Sequence, residues 1–400
     1  MTTKNNIPAG YKDSAVGIIP QEWRIFDFGD IAYVSKKKYT PTKSSHIACV
    51  ELEHISQGDG VLLGYTEAGL QKSTKNIFKK GCILFGKLRP YLRKYWLAPF
   101  DGVCSSEIWV LNSNEEVCTK EYLYRLISSE RFIQFANVSI GSKMPRADWN
   151  FVSLTPFAVP PMEEQRKIAE ILGVWDEAIE KQSRLIEKLE LRKRALMQRL
   201  LTGRTRLPSF TTPWQKVKLG EIFKERNETK CEHLPLLSIT AERGVILQSE
   251  SDKKDTSNDD KSKYKRICPN DIGYNTMRMW QGRSALSAME GIVSPAYTIV
   301  TSKAEVDPLF ISELIKQPRV VYDFWTHSQG LVGDTLNCKF HDFSQVKVAI
   351  PSLPEQKAIA EVLTTADDEI ATHRKKLDAL RLQKRGLMQQ LLTGKTRVKI

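Results

Sequence analysis

The side chains best placed for chemistry in this chain are hydrogen-bond donors rather than nucleophiles. Lys87, Arg89, Arg93, Lys143 and Arg146 form one group; Asn275, Arg278, Gln281, Arg283 and Asn337 form another. Arginine offers a planar fork of N–H groups, an amide both donates and accepts, and lysine is a mobile point charge. That set suits base edges in a nucleic-acid groove, with lysines on phosphates. Taken singly, each residue reads at least as well as a solvated loop charge or as half of an ion pair within a domain. Taken as groups, they read as loops facing a polyanion. The overall balance agrees: 60 Lys and Arg against 47 Asp and Glu, a net charge of +13 and a pI near 9.3, which hints at such a partner.

Catalytic arrangements are harder to find. Leu392-Thr393-Gly394-Lys395-Thr396 looks like the end of a phosphate loop, but position 389 is Gln where such a loop needs its first Gly. The stretch reads as a helix cap. The six histidines are scattered without metal-ligand spacing. Seven cysteines, Cys49, Cys82, Cys104, Cys118, Cys231, Cys268 and Cys338, are odd in number and include no CxxC pair. That argues against a disulfide framework or zinc site and for a reducing cytoplasm. No run approaches the ~20 apolar residues of a membrane span, and the N-terminus lacks the apolar centre of a signal peptide.

What must position the donors is a stretch that occurs twice. Residues 160–206 and 351–397 align without a gap at an offset of 191, with 22 of 47 positions identical, so the repeat has to be settled before the fold. Apolar positions in the first copy are Ile168, Leu172, Trp175, Ile179, Ile186, Leu189, Leu196 and Leu200. Adding Gln182 and Lys193 completes a 4-3-4-3 spacing. The second copy keeps the register with Ile359, Leu363, Ala366, Ile370, His373, Leu377, Leu380, Lys384, Leu387 and Leu391. This is a coiled-coil seam with polar residues at two matching places. Pro and acidic residues mark each start; Gly203 and Gly394 among basic residues mark each stop. A lone helix of this kind would expose its seam, so the other copy is the economical partner. Parallel pairing in register would set Lys193 beside Lys384. Antiparallel pairing brings Lys193 near Asp367 and Lys384 near Asp176. The competing reading of both lysines is that their stems pack and their heads snorkel to water.

The repeat extends beyond the helix. Trp23 and Gly29 correspond to Trp214 and Gly220. Residues 83–89 line up with 272–278, and 102–105 with 291–294; apolar runs at 108–111 and 297–300 follow and read as buried strands. Amphipathic helices are expected over 121–136 and 309–324, and final strands over 156–159 and 346–350. The fold class is therefore α+β: two globular domains of mixed strand and helix, separated by two long helices that form an antiparallel coiled coil, with an internal pseudo-twofold repeat. The divisions fall at 1–158, 159–206, 207–349 and 350–400. The two scaffolds match while their loops differ, as expected of two recognition domains with different targets.

The motifs PPMEEQRKIAEIL with MQRLLTG and PSLPEQKAIAEVL with MQQLLTG, together with the Trp-containing domain openings, resemble the DNA-specificity subunit of type I restriction-modification systems. The likeness spans essentially the whole chain. It implies that each globular part is a target-recognition domain reading one half of a bipartite site on double-stranded DNA. The helices would act as spacer and as docking surface for two modification (methyltransferase) subunits, which two restriction (ATP-dependent translocase/endonuclease) subunits then join. One copy per complex is implied, because this chain holds both halves. The resemblance also implies a non-catalytic chain that binds no cofactor itself, with S-adenosylmethionine, ATP and Mg²⁺ on other subunits, in the cytoplasm and away from membranes. No NPPY-like adenine-methyltransferase motif is present, which fits. By resemblance Glu164, Gln165, Glu355 and Gln356 are candidates for partner binding; from chemistry alone Gln165 and Gln356 read better as helix-start caps. Roughly 50 Å of helix corresponds to about 15 base pairs as an upper scale for half-site separation, and unlike domains predict an asymmetric site. The alternatives are a coiled-coil scaffold with two protein-binding globular ends, and a stand-alone nuclease, which no motif supports.

Overall fold

The computed structural model describes residues 7–138, 144–240, 243–251, 258–330 and 336–400. Its two longest elements are the helices Met162–Leu200 and Leu353–Leu392, of 39 and 40 residues. Both end as the sequence predicts. Gly203 and Gly394 adopt left-handed backbone, φ +67° and +71°, and the amides of Thr205 and Thr396 reach back to the carbonyls of Arg199 and Gln390, closing each last turn.

The chain forms two compact units. One joins residues 1–183 with 375–400; the other is 184–374. The boundaries cut both long helices, so each unit holds the opening of one and the close of the other. In the first unit Ile168 and Leu172 share a core with Leu387, Met388 and Leu391. In the second, Leu196 and Leu200 share one with Ile359 and Leu363. The partners run in opposite directions: Glu164 meets Arg397 and Asp176 meets Lys384, while Lys193 meets Asp367 and Arg206 meets Glu355. The antiparallel arrangement and both lysine–aspartate pairs are as the seam predicts. Lys193 Nζ lies 2.6 Å from each oxygen of Asp367, so these lysines are ion-paired, not snorkelled. Along the seam Ile186, Leu189, Ile370 and Leu377 are buried with the residues above, and Trp175, Ile179 and Leu380 are half-buried. Each fully buried aliphatic side chain contributes about 1.5–3 kcal/mol.

Both units carry the same antiparallel four-stranded sheet. In the first its order is Tyr95–Leu97, Ile83–Gly86, Ile108–Ser113, Ala32–Val34; in the second, Ser284–Leu286, Asp271–Asn275, Tyr297–Ser302, Phe223–Glu225. A two-stranded ribbon, Arg24–Asp27 with Pro156–Val159 or Gln215–Lys218 with Lys347–Ile350, ties each domain opening to the strand that enters a long helix. The remaining strands differ. The first unit has a five-stranded sheet, whereas the second has two separate ribbons, Leu237–Thr240 with Gly244–Leu247 and Lys265–Ile267 with Gly291–Val293.

Each expected amphipathic helix is in fact two. Lys120–Ser128 and Glu130–Ala136 are split at Ser129, whose extended backbone ends one helix and whose hydroxyl accepts the Phe132 amide to start the next. Pro308–Leu314 and Pro318–His327 are split ahead of Pro318, since the residue before a proline is biased away from helix. Trp23 is fully buried, a core residue at the domain opening.

Candidate nucleic-acid interface

Lys87, Arg89 and Arg93 sit on one hairpin of the first unit, and Asn275, Arg278, Gln281 and Arg283 on one hairpin of the second. In the first, strands Ile83–Gly86 and Tyr95–Leu97 pair, and their connection includes a 3-10 turn, Pro90–Leu92, flanked by Arg89 and Arg93. In the second, Asp271–Asn275 and Ser284–Leu286 pair around the turn Met279–Gln281, flanked by Arg278 and Gly282. Arg93 and Gly282 both close the turn in left-handed backbone, at φ +51° and +72°. Arg89 is left-handed too, at φ +52°. A non-glycine residue held there stores of order 1 kcal/mol of strain and is worth reading as a functional constraint.

A second segment returns to each tip by the same hydrogen bond. The Ala147 amide donates to the Lys87 carbonyl at 2.9 Å, and the Cys338 amide to the Thr276 carbonyl at 2.8 Å. Leu88 bridges Arg146, and the Arg89 amide donates to the Pro145 carbonyl at 2.8 Å. Lys87, Arg89 and Arg146 are thereby brought together in the first unit. In the second, Asn275, Arg278, Gln281, Arg283 and Asn337 gather around the corresponding tip. Thr276 and Asn337 stand where the first unit has Lys87 and Arg146.

The side chains are differently committed. Lys87, Arg89, Arg278, Gln281 and Arg283 make no side-chain bond to any described residue, which leaves five donors for a ligand. Arg146 donates to Glu107 Oε2 at 2.9 Å and stays half-exposed. Asn275 Oδ1 accepts the Met277 amide at 3.0 Å, a local turn that fixes the amide. The buried Asn337 Oδ1 has no partner among the described residues. Burial pushes the Tyr297 phenol up, with the nearby Arg283 charge pulling the other way, and its hydroxyl donates to the Ile239 carbonyl at 3.4 Å. Arg93, like Arg146, is ion-paired. Its guanidinium is bonded to Glu130 at 2.5 Å and lines a cavity of about 270 Å³ with Tyr95, Asp176 and Lys384. Lys143 lies outside the described residues.

Glu164, Gln165, Glu355 and Gln356 are not available to a partner. All four are at most 1% exposed. Glu164 accepts Trp23 Nε1 at 2.9 Å and Arg397 Nε at 2.7 Å; Glu355 accepts Arg206 Nε and Nη2. Gln165 accepts the Thr119 amide and donates to the carbonyls of Val117 and Pro160; Gln356 accepts the Asp307 amide and donates to those of Glu305 and Pro351. They stitch each helix start into its own unit, and sequence position alone does not reveal that burial. Sequence reasoning also passed over Tyr91 and Met277, both about half exposed at the hairpin tips. Aromatic and thioether groups interleaved with arginines were the available signal, since such side chains pack on base faces and methyls. Among the described residues no group of His, Cys, Asp and Glu could hold a metal ion, and no helix is long and apolar enough to cross a membrane.

The family model for the type I restriction modification DNA specificity domain matches residues 20–191 and 309–382, well over half of the chain. The chain belongs to that family. A putative type I restriction enzyme specificity subunit, MjaX, from Methanocaldococcus jannaschii is 25% identical over 429 aligned positions covering 97% of each chain. The EcoDI specificity subunit of Escherichia coli is 29% identical over 179, covering 43% of this chain and 39% of that one. A chain solved in work on complex assembly and conformational transition of the type I R-M system shares the fold, with a TM-score of 0.61 at 19% identity over 94% of this chain and 99% of the other. The match to the DNA-specificity family model leaves out residues 192–308. That interval holds Asn275, Gln281 and Arg283, donors of the second tip, together with Arg278, which the register sets against Arg89 of the first.

Proposed function

We propose that this specificity subunit reads an asymmetric bipartite site on double-stranded DNA, one half-site per recognition domain, and delivers modification and restriction partners to it. The observation that carries the reading is the pair of equivalent tips bearing unlike donors: Lys87 and Arg146 on one, Asn275 and Asn337 on the other, with Arg89 and Arg278 common to both. Equal scaffolds with unequal donor sets suit two different half-sites. Lysine and arginine at the first tip favour guanine edges and phosphates; asparagine at the second favours adenine. On this reading the paired helices set the half-site spacing and offer their outer faces to two modification subunits. Two restriction subunits join that assembly, which contains one copy of this chain. Chemistry belongs to those partners, which would bind S-adenosylmethionine, ATP and Mg²⁺, while this chain contributes address rather than catalysis.

The test is co-expression with the modification subunit and single-molecule sequencing of host DNA. Methyladenine should appear in one bipartite asymmetric motif and vanish when this chain is deleted. Arg278→Ala should relax or abolish one half-site, and Arg89→Ala the other, each costing about 1–3 kcal/mol of discrimination. Methylation indifferent to both substitutions, with the partner active and bound, would leave the scaffold reading as the better account.

A further inference from the structure

The second unit contains a groove of about 1090 Å³ between the last turns of helix Met162–Leu200, helix Pro318–His327 and strand Lys347–Ile350. Its floor is apolar, built from Met197, Leu201, Trp214, Leu314, Val320 and Val348. Its rim is cationic: Arg194, Arg204, Lys216, Arg319 and Lys347 are all exposed. None of these five side chains has an ion-pair or hydrogen-bond partner among the described residues. The single acid on the lining is Asp323.

The first unit shows what a closed version looks like. Strand register equates Lys216 with Ile25, Lys347 with Pro156 and Val348 with Phe157. The matching helix caps Ser129 and Gln317 equate Arg319 with Arg131 and Asp323 with Phe135. In the first unit Arg131 lies over the rings of Phe135 and Phe157, at 5.1 and 5.6 Å, and donates to the Pro156 carbonyl at 3.1 Å. Two aromatic rings and a folded-down arginine thus fill the place. In the second unit an aspartate and a valine replace the rings, Arg319 is left free, and two lysines are added at the edge.

We propose that this groove docks an acidic, amphipathic peptide segment of a protein partner, with an apolar side chain seated on Met197 and Trp214 and carboxylates on the rim. Five uncompensated cations call for an anion, and the uncovered apolar floor calls for a side chain that a sugar-phosphate backbone does not supply. Because the equivalent place is plugged in the first unit, such a segment engages each chain once. The proposal does not depend on the hairpin tips or on DNA recognition.

The experiment uses the full chain and a labelled synthetic helical peptide of repeating glutamates and leucines, read by fluorescence anisotropy. Saturable binding is expected, absent for the glutamine analogue. It should weaken about tenfold or more in Lys216→Glu/Arg319→Glu and, separately, in Arg194→Glu, exposed positions whose reversal leaves the fold measurable by circular dichroism. Lys36→Glu/Lys37→Glu, exposed or half-exposed cations elsewhere, should bind as wild type. An unlabelled random-sequence duplex should not displace the peptide. No binding, equal binding of the glutamine analogue, indifference to the groove reversals, equal loss in the Lys36/Lys37 control, or displacement by duplex would each overturn the proposal; the last would make the groove a phosphate-contacting surface instead.

Discussion

At the same position of the repeat, Asp176 and Asp367 do different work. Asp176 accepts Lys384 from the other long helix and also Arg125 from the recognition domain, where Arg125 is nearly buried. Asp367 accepts Lys193, and it is more than half exposed. The place of Arg125 is taken in the second unit by Glu313, which pairs with Lys316 at 2.9 Å instead. The helix starts show the same inequality. Glu164 takes Trp23 and Arg397, whereas Glu355 takes Arg206, and the indole Nε1 of Trp214 is buried without a partner among the described residues. Two copies of one scaffold therefore fasten their recognition domains to the helices with different strength. The helical repeat was kept; the fastening was not.

The comparison can be broken most directly at the buried glutamates. Glu164→Leu should destabilise by about 3–5 kcal/mol, because it strands Trp23 Nε1 and Arg397, and its urea midpoint should fall further than that of Glu355→Leu. Equal shifts would show that the indole bond adds nothing. A smaller effect is expected one step along the seam. Asp176→Asn should cost about 2–3 kcal/mol, discounted from a fully buried pair for its partial exposure, against less than about 1 kcal/mol for Asp367→Asn; a double-mutant cycle with Arg125→Ala would assign the difference. The mildest probe is alkylation at neutral pH. Burial pushes the Cys49 and Cys338 thiols up to about 12 and those of Cys104 and Cys118 higher. Raised values keep the reactive thiolate scarce until the pH climbs toward them. The half-exposed Cys231 and Cys268, both in the second unit, should react first, by mass spectrometry of peptides; early labelling of the first unit would mean that its core opens more readily than its stitching suggests.

Much of this was legible in the residues. The 4-3 spacing and the fixed offset identify the helices, and charge opposition at Lys193 and Lys384 selects the antiparallel partner, because a like-charge seam pair is unfavourable in one arrangement and cancelled in the other. The domain-level repeat follows from Trp23 and Trp214. Burial of short polar motifs was not legible. Glu164 and Gln165 look like an exposed first turn until the strands around them are placed, and apart from the local bond to Pro160 the bonds that hold them reach residues 46 to 233 positions distant. The breaks at Ser129 and ahead of Pro318 were within reach, since a serine before an acidic residue and a proline both announce a helix start. The ion pair of Arg93 was out of reach for a longer-range reason: its partner Glu130 lies 37 residues on, and the left-handed turn it closes is occupied in the second unit by a glycine.

The division of the long helices between units has a consequence for the order of synthesis. Residues 184–374 form the second unit without interruption, but the first needs 375–400. Leu391 and Met388 belong to its core, Gly394 lies against Pro20, and Arg397 neutralises the buried Glu164. At roughly 5–20 residues per second, residues 375–400 leave the ribosome some tens of seconds or less after Ser183. For that interval the half made first waits with an open core and an unpaired carboxylate, while the half made second can already close. A domain built mostly from residues 1–183 thus closes only after residues 375–400 are made, and loss of Arg397 would lower its stability from far along the sequence.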